Sequence, residues 1–323
     1  MKKILMMALA GLMVALVPVA GQANKAVKVG VSIPTADHGW TGGLNYWAQT
    51  AIKEWKAKDK KVTFYLVTAD SPAKQVNDIE DLMVKGIDAL VVLAYDSASL
   101  TPVVKKAFEK GIYVVSVDRG LTEPVQNVYI AGDNPGLGQV SAEWLAKAMG
   151  GKGDIVVIEG IPTVINTERV ETFKETLAKK APAIRILDSQ PGNWDTQKAL
   201  EIMTNYLQKY KKIDAVWCQD DDMLVGVLQA YKESGRSDIK TFLGGAGSKG
   251  MIKKVMDGDA LVRADVTYPP SMIGSGISLG VYGSRGVPLA GFYQGKIPSK
   301  IILAAELITK ENAKAYYNPK DMF

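Results

Sequence analysis

Residues 27–55 read VKVGVSIPTADHGWTGGLNYWAQTAIKEW, and the two halves of this stretch carry different periodicities. Residues 27–33 are a short run rich in Val and Ile, as in a strand buried on both faces of a parallel sheet. Beyond them, Leu44, Trp47, Ala48, Ala51, Ile52 and Trp55 fall at i, i+3, i+4, i+7, i+8 and i+11, along one face of a helix. The intervening Thr35-Ala36-Asp37-His38-Gly39-Trp40 is a loop at the carboxyl end of the strand. Open α/β sheets bind their ligands at that end.

The same unit repeats along the chain. Further β-branched runs at 62–67, 89–93, 113–117, 154–159, 183–187, 215–218 and 241–244 alternate with amphipathic stretches, such as Leu200, Met203, Leu207 and Tyr210. Strand and helix in alternation predict a doubly wound α/β sheet. The alternation restarts after Gly132-Asp133-Asn134-Pro135-Gly136, and Gly150-Gly151-Lys152-Gly153 leads into a fresh strand. Units 27–131 and 133–265 therefore predict two lobes, with a ligand cleft between them. The chain from Tyr268 is too short for a third lobe and is expected to return a helix and a strand to the first two. The expected boundaries are 24–131 plus about 268–297 for the first lobe and 132–267 plus about 298–323 for the second, joined by a multi-strand hinge.

Composition removes several classes of function. With 323 residues, 47% apolar and 23% charged, the chain is long enough for two cores and is neither disordered nor a disulfide scaffold. Cys218 and His38 are the sole residues of their types, so a zinc site built from several Cys or His ligands is out of reach. Lys2 and Lys3 precede an apolar run from Ile4 to about Ala20, broken by Pro18 and followed by Gly21-Gln22-Ala23. This pattern is read as a signal peptide, 1–23, cleaved near Ala23. Without its two lysines, 39 basic residues become 37 against 34 acidic ones, or +3. So small a charge calls for no nucleic acid or anionic surface as a partner.

Two tryptophans and one charged pair stand out as candidate ligand contacts. Trp40 follows the first strand, and Trp194, in Pro191-Gly192-Asn193-Trp194-Asp195, occupies the corresponding kind of loop in the second lobe. From loop position alone, each indole either stacks on the apolar face of a sugar ring or packs beneath its own loop. Asp118-Arg119, after the fourth strand, offers an acceptor beside a five-donor guanidinium, which suits vicinal hydroxyls; an ion pair closing a strand end is the other reading.

The whole arrangement of loops resembles the periplasmic sugar-binding proteins of the ribose- and galactose-binding type, the solute receptors of ABC importers. The residues that carry the resemblance are Val29-Gly-Val-Ser, Asp118-Arg119, Ala131-Gly-Asp133-Asn134, Glu168-Arg169-Val-Glu-Thr-Phe173, Gln190-Pro-Gly-Asn-Trp-Asp195 and Gln219-Asp-Asp-Asp-Met223. The resemblance implies a periplasmic binding protein type I fold. It assigns ligand contacts to Asp37 and Trp40, to Asp118 and Arg119, to Arg169, to the aromatic lid Trp194, to Asp220 where the pattern has Asn, and to Tyr268 where it has a hinge Gln. The departures are as informative. Ala246, in Leu243-Gly-Gly-Ala246-Gly247, replaces an expected aspartate, and the polar residue expected after the third strand is absent at Leu93 and Ala94, with Tyr95 nearby. These changes argue against plain ribose and for a differently substituted sugar, a deoxy sugar or a polyol.

Other signals carry less. Gly245-Ala-Gly247-Ser-Lys-Gly250 matches a dinucleotide fingerprint with Asp265 downstream, but it comes late, in an exported chain, where the resembling family has a ligand turn. Asp221 and Asp222 read as first-turn acids favoured by a helix dipole rather than as calcium ligands. His38 reads as solvent-facing or ligand-contacting, and no acid and base pair for glycoside hydrolysis is evident. The expectation is a monomeric periplasmic receptor without metal, cofactor or catalysis, which delivers a monosaccharide or polyol to an ABC permease. The alternatives are a sensor that presents ligand to a chemoreceptor or sensor kinase, and a secreted carbohydrate-active enzyme.

Overall fold

The structure, a computed structural model, describes residues 25–288 and 295–323; the expected signal peptide, 1–23, lies outside the described residues. Strands β1 (Val27–Pro34), β2 (Val62–Ala69), β3 (Ala89–Val92), β4 (Tyr113–Val117) and β5 (Val128–Gly132) alternate with helices α1 (Gly39–Lys58), α2 (Pro72–Val84) and α3 (Ser97–Glu109). The second lobe follows as α4 (Asn134–Ala148), β6 (Lys152–Glu159), α5 (Val164–Lys180), β7 (Ala183–Pro191), α6 (Thr196–Lys209) and β8 (Ala215–Cys218). It continues through α7 (Asp221–Ser234), β9 (Thr241–Leu243), α8 (Lys249–Asp257) and β10 (Ala264–Val266). Helix α9 (Met272–Ser284), β11 (Lys300–Leu303) and β12 (Leu307–Thr309) complete the framework.

The first sheet has the order β11-β5-β4-β3-β1-β2 and the second β7-β6-β8-β9. Every pairing within them is parallel, for example Val29 opposite Phe64 on one side and Ala89 on the other. Helices cover both faces, so central strands such as β3 and β8 are buried throughout, which is why their sequences run apolar without alternation. Most helices of this framework start on a side-chain acceptor: Ser71, Asp96, Asp133, Asp195, Asp220 and Ser248 each receive an amide of the first turn. Such caps satisfy donors that have no partner inside the helix. Helix α1 opens instead on a reciprocal capping box between His38 and Thr41.

Among the described residues the chain passes between the lobes at Gly132–Asp133, at Thr267–Tyr268 and between β11 and β12. Backbone bonds lace these crossings together, Asp133 N–H to the Leu303 carbonyl at 2.9 Å and Thr267 N–H to the Glu306 carbonyl at 2.9 Å. Helix α9 returns to the first lobe and packs on β3 and β4. The last boundary differs from the sequence reading, which gave 298–323 to the second lobe. Strand β11 instead pairs with β5, Lys300 opposite Tyr129, because β5 would otherwise leave an edge of unpaired backbone groups. Only from β12, antiparallel to β10, does the chain rejoin the second lobe. No helix among the described residues is long and apolar enough to cross a membrane.

Candidate ligand-binding site

The carboxyl ends of the two sheets face one another across a small cavity. The first lobe lines it with His38 and Trp40 from the β1–α1 loop and with Asp118 and Arg119 after β4. From the second lobe come Ile165 and Arg169 on α5, Trp194 before α6, Asp220 at the start of α7 and Ala246 after β9, while Tyr268 enters from the crossing after β10. Parallel strands put all of these loops at the same end of each sheet, so the topology gathers residues that are far apart in sequence.

The polar groups are buried and held. Asp118, 4% exposed, accepts a hydrogen bond from the Tyr268 hydroxyl at 2.6 Å. Its backbone is fixed by its own N–H on the Ile130 carbonyl and by the Tyr129 hydroxyl on its carbonyl, at 2.8 and 2.7 Å. A carboxylate has about four acceptor positions, so one phenol leaves capacity for ligand hydroxyls. Arg119 donates through Nη1 to the Tyr95 carbonyl at 2.9 Å. Arg169, also buried, donates through Nε to Asn134 Oδ1 at 2.9 Å and lies over the Tyr268 ring at 4.3 Å. Each guanidinium is thus aimed through one donor and keeps others for a ligand. Asp220 accepts the Met223 N–H at 2.9 Å and so is both helix cap and cavity wall.

The apolar walls are rings. Trp40 donates its indole N–H to the Tyr268 carbonyl at 2.9 Å, its ring tilted 43° to that of Tyr268. Trp194 rests on Gly160, where a Cβ would come within 2.2 Å of the indole nitrogen, and its other neighbour is the His38 ring, near-parallel at 6.3 Å. Both indoles therefore pack into their lobes and also border the cavity, so the two readings of each Trp are not exclusive. Asp118 and Trp194, both at φ 59°, and Ala246, at φ 92°, hold the left-handed region without being glycine. Backbone strain of this kind concentrates at ligand sites, where the surroundings enforce it.

The profile of the family described as "Periplasmic binding protein domain" matches residues 29–277. The chain belongs to this family. The ribose import binding protein RbsB of Escherichia coli is 32% identical over 230 residues, 70% of this chain and 76% of that protein. Two solved structures share the architecture. One is the fructose-binding periplasmic domain of a hybrid two-component system, with a TM-score of 0.76 and 26% identity, covering 90% of this chain and 92% of that one. The other is an ABC transporter solute-binding protein of Mycobacterium smegmatis with bound glycerol, with a TM-score of 0.78 and 25% identity over 92% and 98% of the two chains.

Within this periplasmic binding protein, seven of the nine residues singled out from the sequence line one cavity: Trp40, Asp118, Arg119, Arg169, Trp194, Asp220 and Tyr268. Two expectations are corrected. Asp37 points away from the cavity with its side chain 63% exposed, because it bonds His38 Nδ1 at 2.6 Å and receives the Thr41 hydroxyl at 2.7 Å. It orients His38, which takes the place in the wall that Asp37 was expected to fill. Tyr95 is also outside the cavity; its ring packs with the core beside β3 and its backbone serves, the carbonyl receiving Arg119 and the N–H reaching Gln75 Oε1 at 2.7 Å. Ile165 was missed, and as an apolar residue one turn before Arg169 it carries no sequence signal distinct from core. The glycine turn has its own occupant, since Asp221 takes the N–H groups of Gly245 and Ser248 at 3.0 and 2.7 Å. Asp221 is the first-turn acid expected of it and, being buried, also a tie between two loops. Among the described residues no group of three His, Cys, Asp or Glu is placed to hold a metal ion.

Burial and the neighbouring carboxylates of Asp222 and Asp221 push Asp220 up to about 7. Burial opposes charge on His38, but the hydrogen bond and charge of Asp37 outweigh it and raise its pKa, while the same bond holds Asp37 well below the usual carboxylate range. Burial, with Asp118 beside it, raises the Tyr268 phenol, so it is a neutral donor at any ordinary pH. Perturbed groups facing a cleft fit a binding site.

Proposed function

We propose that this chain is an exported, periplasmic solute receptor that encloses one small neutral sugar or polyol between its lobes and delivers it to an ABC importer. The observation that carries the reading is the cavity itself. It sets two buried acceptors, Asp118 and Asp220, against two buried or half-buried guanidiniums, Arg119 and Arg169, with indoles from both lobes. A polyhydroxylated ligand both donates and accepts, and so satisfies all four at once. The family relationship and the glycerol-bound and ribose-import relatives support this class. Ala246 and Ile165 add an apolar wall where a further acceptor was expected, which favours a deoxy sugar or a polyol over ribose. No turnover is proposed: each carboxylate in the wall is engaged as a hydrogen-bond acceptor.

A thermal-shift screen of the mature protein against pentoses, hexoses, 6-deoxy hexoses and linear and cyclic polyols tests the reading. A rise of several degrees with one compound, recovered chemically unchanged, is expected, because a ligand of the folded state stabilises it by RT ln(1 + [L]/Kd). No shift with any compound would refute it. The likeness to a fructose-binding sensor domain supports a second role, presentation of the ligand to a membrane sensor; importer genes beside this one favour uptake, a sensor kinase alone favours signalling.

A further inference from the structure

Helix α1 satisfies its own first turn only in part. Its N-cap His38 and Thr41 form a reciprocal capping box, but its first turn contains no acid, and the Trp40 amide, like the other first amides of a helix, needs an acceptor from outside it and favours negative charge there. The acceptor comes from the opposite lobe. Asp222, in the first turn of α7, receives the Trp40 N–H on Oδ2 at 3.1 Å. The approach depends on Gly39, since a Cβ there would stand 2.2 Å from Asp222 Oδ1. The Thr196 hydroxyl, donating to the Asp222 carbonyl at 2.8 Å, steadies the other end. Asp222 is not part of the cavity wall.

We propose that Asp222 is an interlobe latch: its carboxylate caps α1 across the cleft and so stabilises the closed arrangement of the two lobes without touching the ligand. The proposal rests on the reading of the cleft as one that closes on a ligand. Contacts made only in the closed form shift the population towards it. They multiply the affinity of every ligand by the same factor and leave selectivity alone. From the usual strength of a carboxylate at a helix start, that factor is roughly 3- to 30-fold.

Spin labels on Lys56→Cys and Glu233→Cys, both exposed positions, report the distance between lobes by pulsed electron resonance. They are to be read with and without saturating xylitol or D-ribose. The closed fraction is expected to fall severalfold in Asp222→Ala and equally in Gly39→Ala, which blocks the same contact from the other lobe. Asp222→Asn, which keeps an acceptor, should lie between. Equal closed fractions in wild type and both variants, including none in any, would overturn the latch. So would affinity losses that differ from one ligand to another. If neither probe binds the wild type, the carbohydrate reading suffers while the distance measurement still decides the latch.

Discussion

The Tyr268 hydroxyl donates to Asp118 Oδ1 at 2.6 Å while the face of the same ring carries the Arg169 guanidinium at 4.3 Å. One residue at a lobe crossing thereby touches an acceptor of the first lobe and a donor of the second. In the place where the resembling pattern has a hinge Gln, the phenol fixes the two charged groups relative to each other.

Tyr268→Phe keeps the ring beneath Arg169 and removes only the donor to a buried carboxylate. Hydrogen bonds to charged groups contribute about 1.5–3 kcal/mol, so urea unfolding of the variant is expected to show a loss of that order. An unchanged midpoint and slope would mean that Asp118 finds another partner.

Arg169→Lys preserves charge but has neither the planar group that lies on Tyr268 nor the Nε donor to Asn134. Affinity for the compound found in the screen should fall at least about tenfold, given the cost of losing one directed charge-assisted bond. Calorimetric titration measures it, and full affinity in the lysine variant would show that charge alone suffices.

Asp220→Asn should be more stable than wild type, by an amount that depends on pH. An unfolded Asp ionises near about 3.9, whereas the folded-state group is pushed up to about 7. Between these values the unfolded chain has released a proton that the folded protein keeps, so this group's contribution to stability declines as pH rises from about 4 to about 7. The variant lacks that decline and retains a good helix cap. Its advantage is expected to be absent below pH 4 and to grow to about 2–4 kcal/mol above pH 7. Chemical unfolding at pH 4, 5.5 and 7.5 checks the trend, and a constant difference would contradict it.

Trp194→Ala should weaken binding strongly and cost about 3 kcal/mol or more of stability, because the indole is packed as well as presented to the cavity. Trp194→Phe keeps a flat apolar face and should recover most of both. Titration and unfolding of the pair separate the two contributions.

The fold was legible because parallel strands buried on both faces leave unmistakable runs such as 27–33 and 89–93, and because the helices between them carry a clear apolar face, as at Leu44, Trp47, Ala48, Ala51, Ile52 and Trp55. Strand ends alone left Trp40, Asp118 and Trp194 with two readings each, and it was the family resemblance rather than any local pattern that pointed to Arg169, Asp220 and Tyr268. Asp37 and Tyr95 were misplaced because neighbouring positions in a loop point in different directions. Thr41 and His38 draw Asp37 outward, and Tyr95 contributes its carbonyl rather than its ring. Two features had no local signal at all. Strand β11 joins the first sheet because β5 offers it an edge, and Asp222 meets Trp40 across 182 residues of sequence.

The most direct measurement is a titration of wild type and Asp118→Ala with the compound found in the screen, followed by tryptophan fluorescence, since Trp40 and Trp194 border the cavity. The expected result is a saturable one-to-one response in wild type that vanishes in the variant, whose thermal unfolding remains cooperative. Equal affinity in the two proteins would contradict the assignment of this cavity as the ligand site.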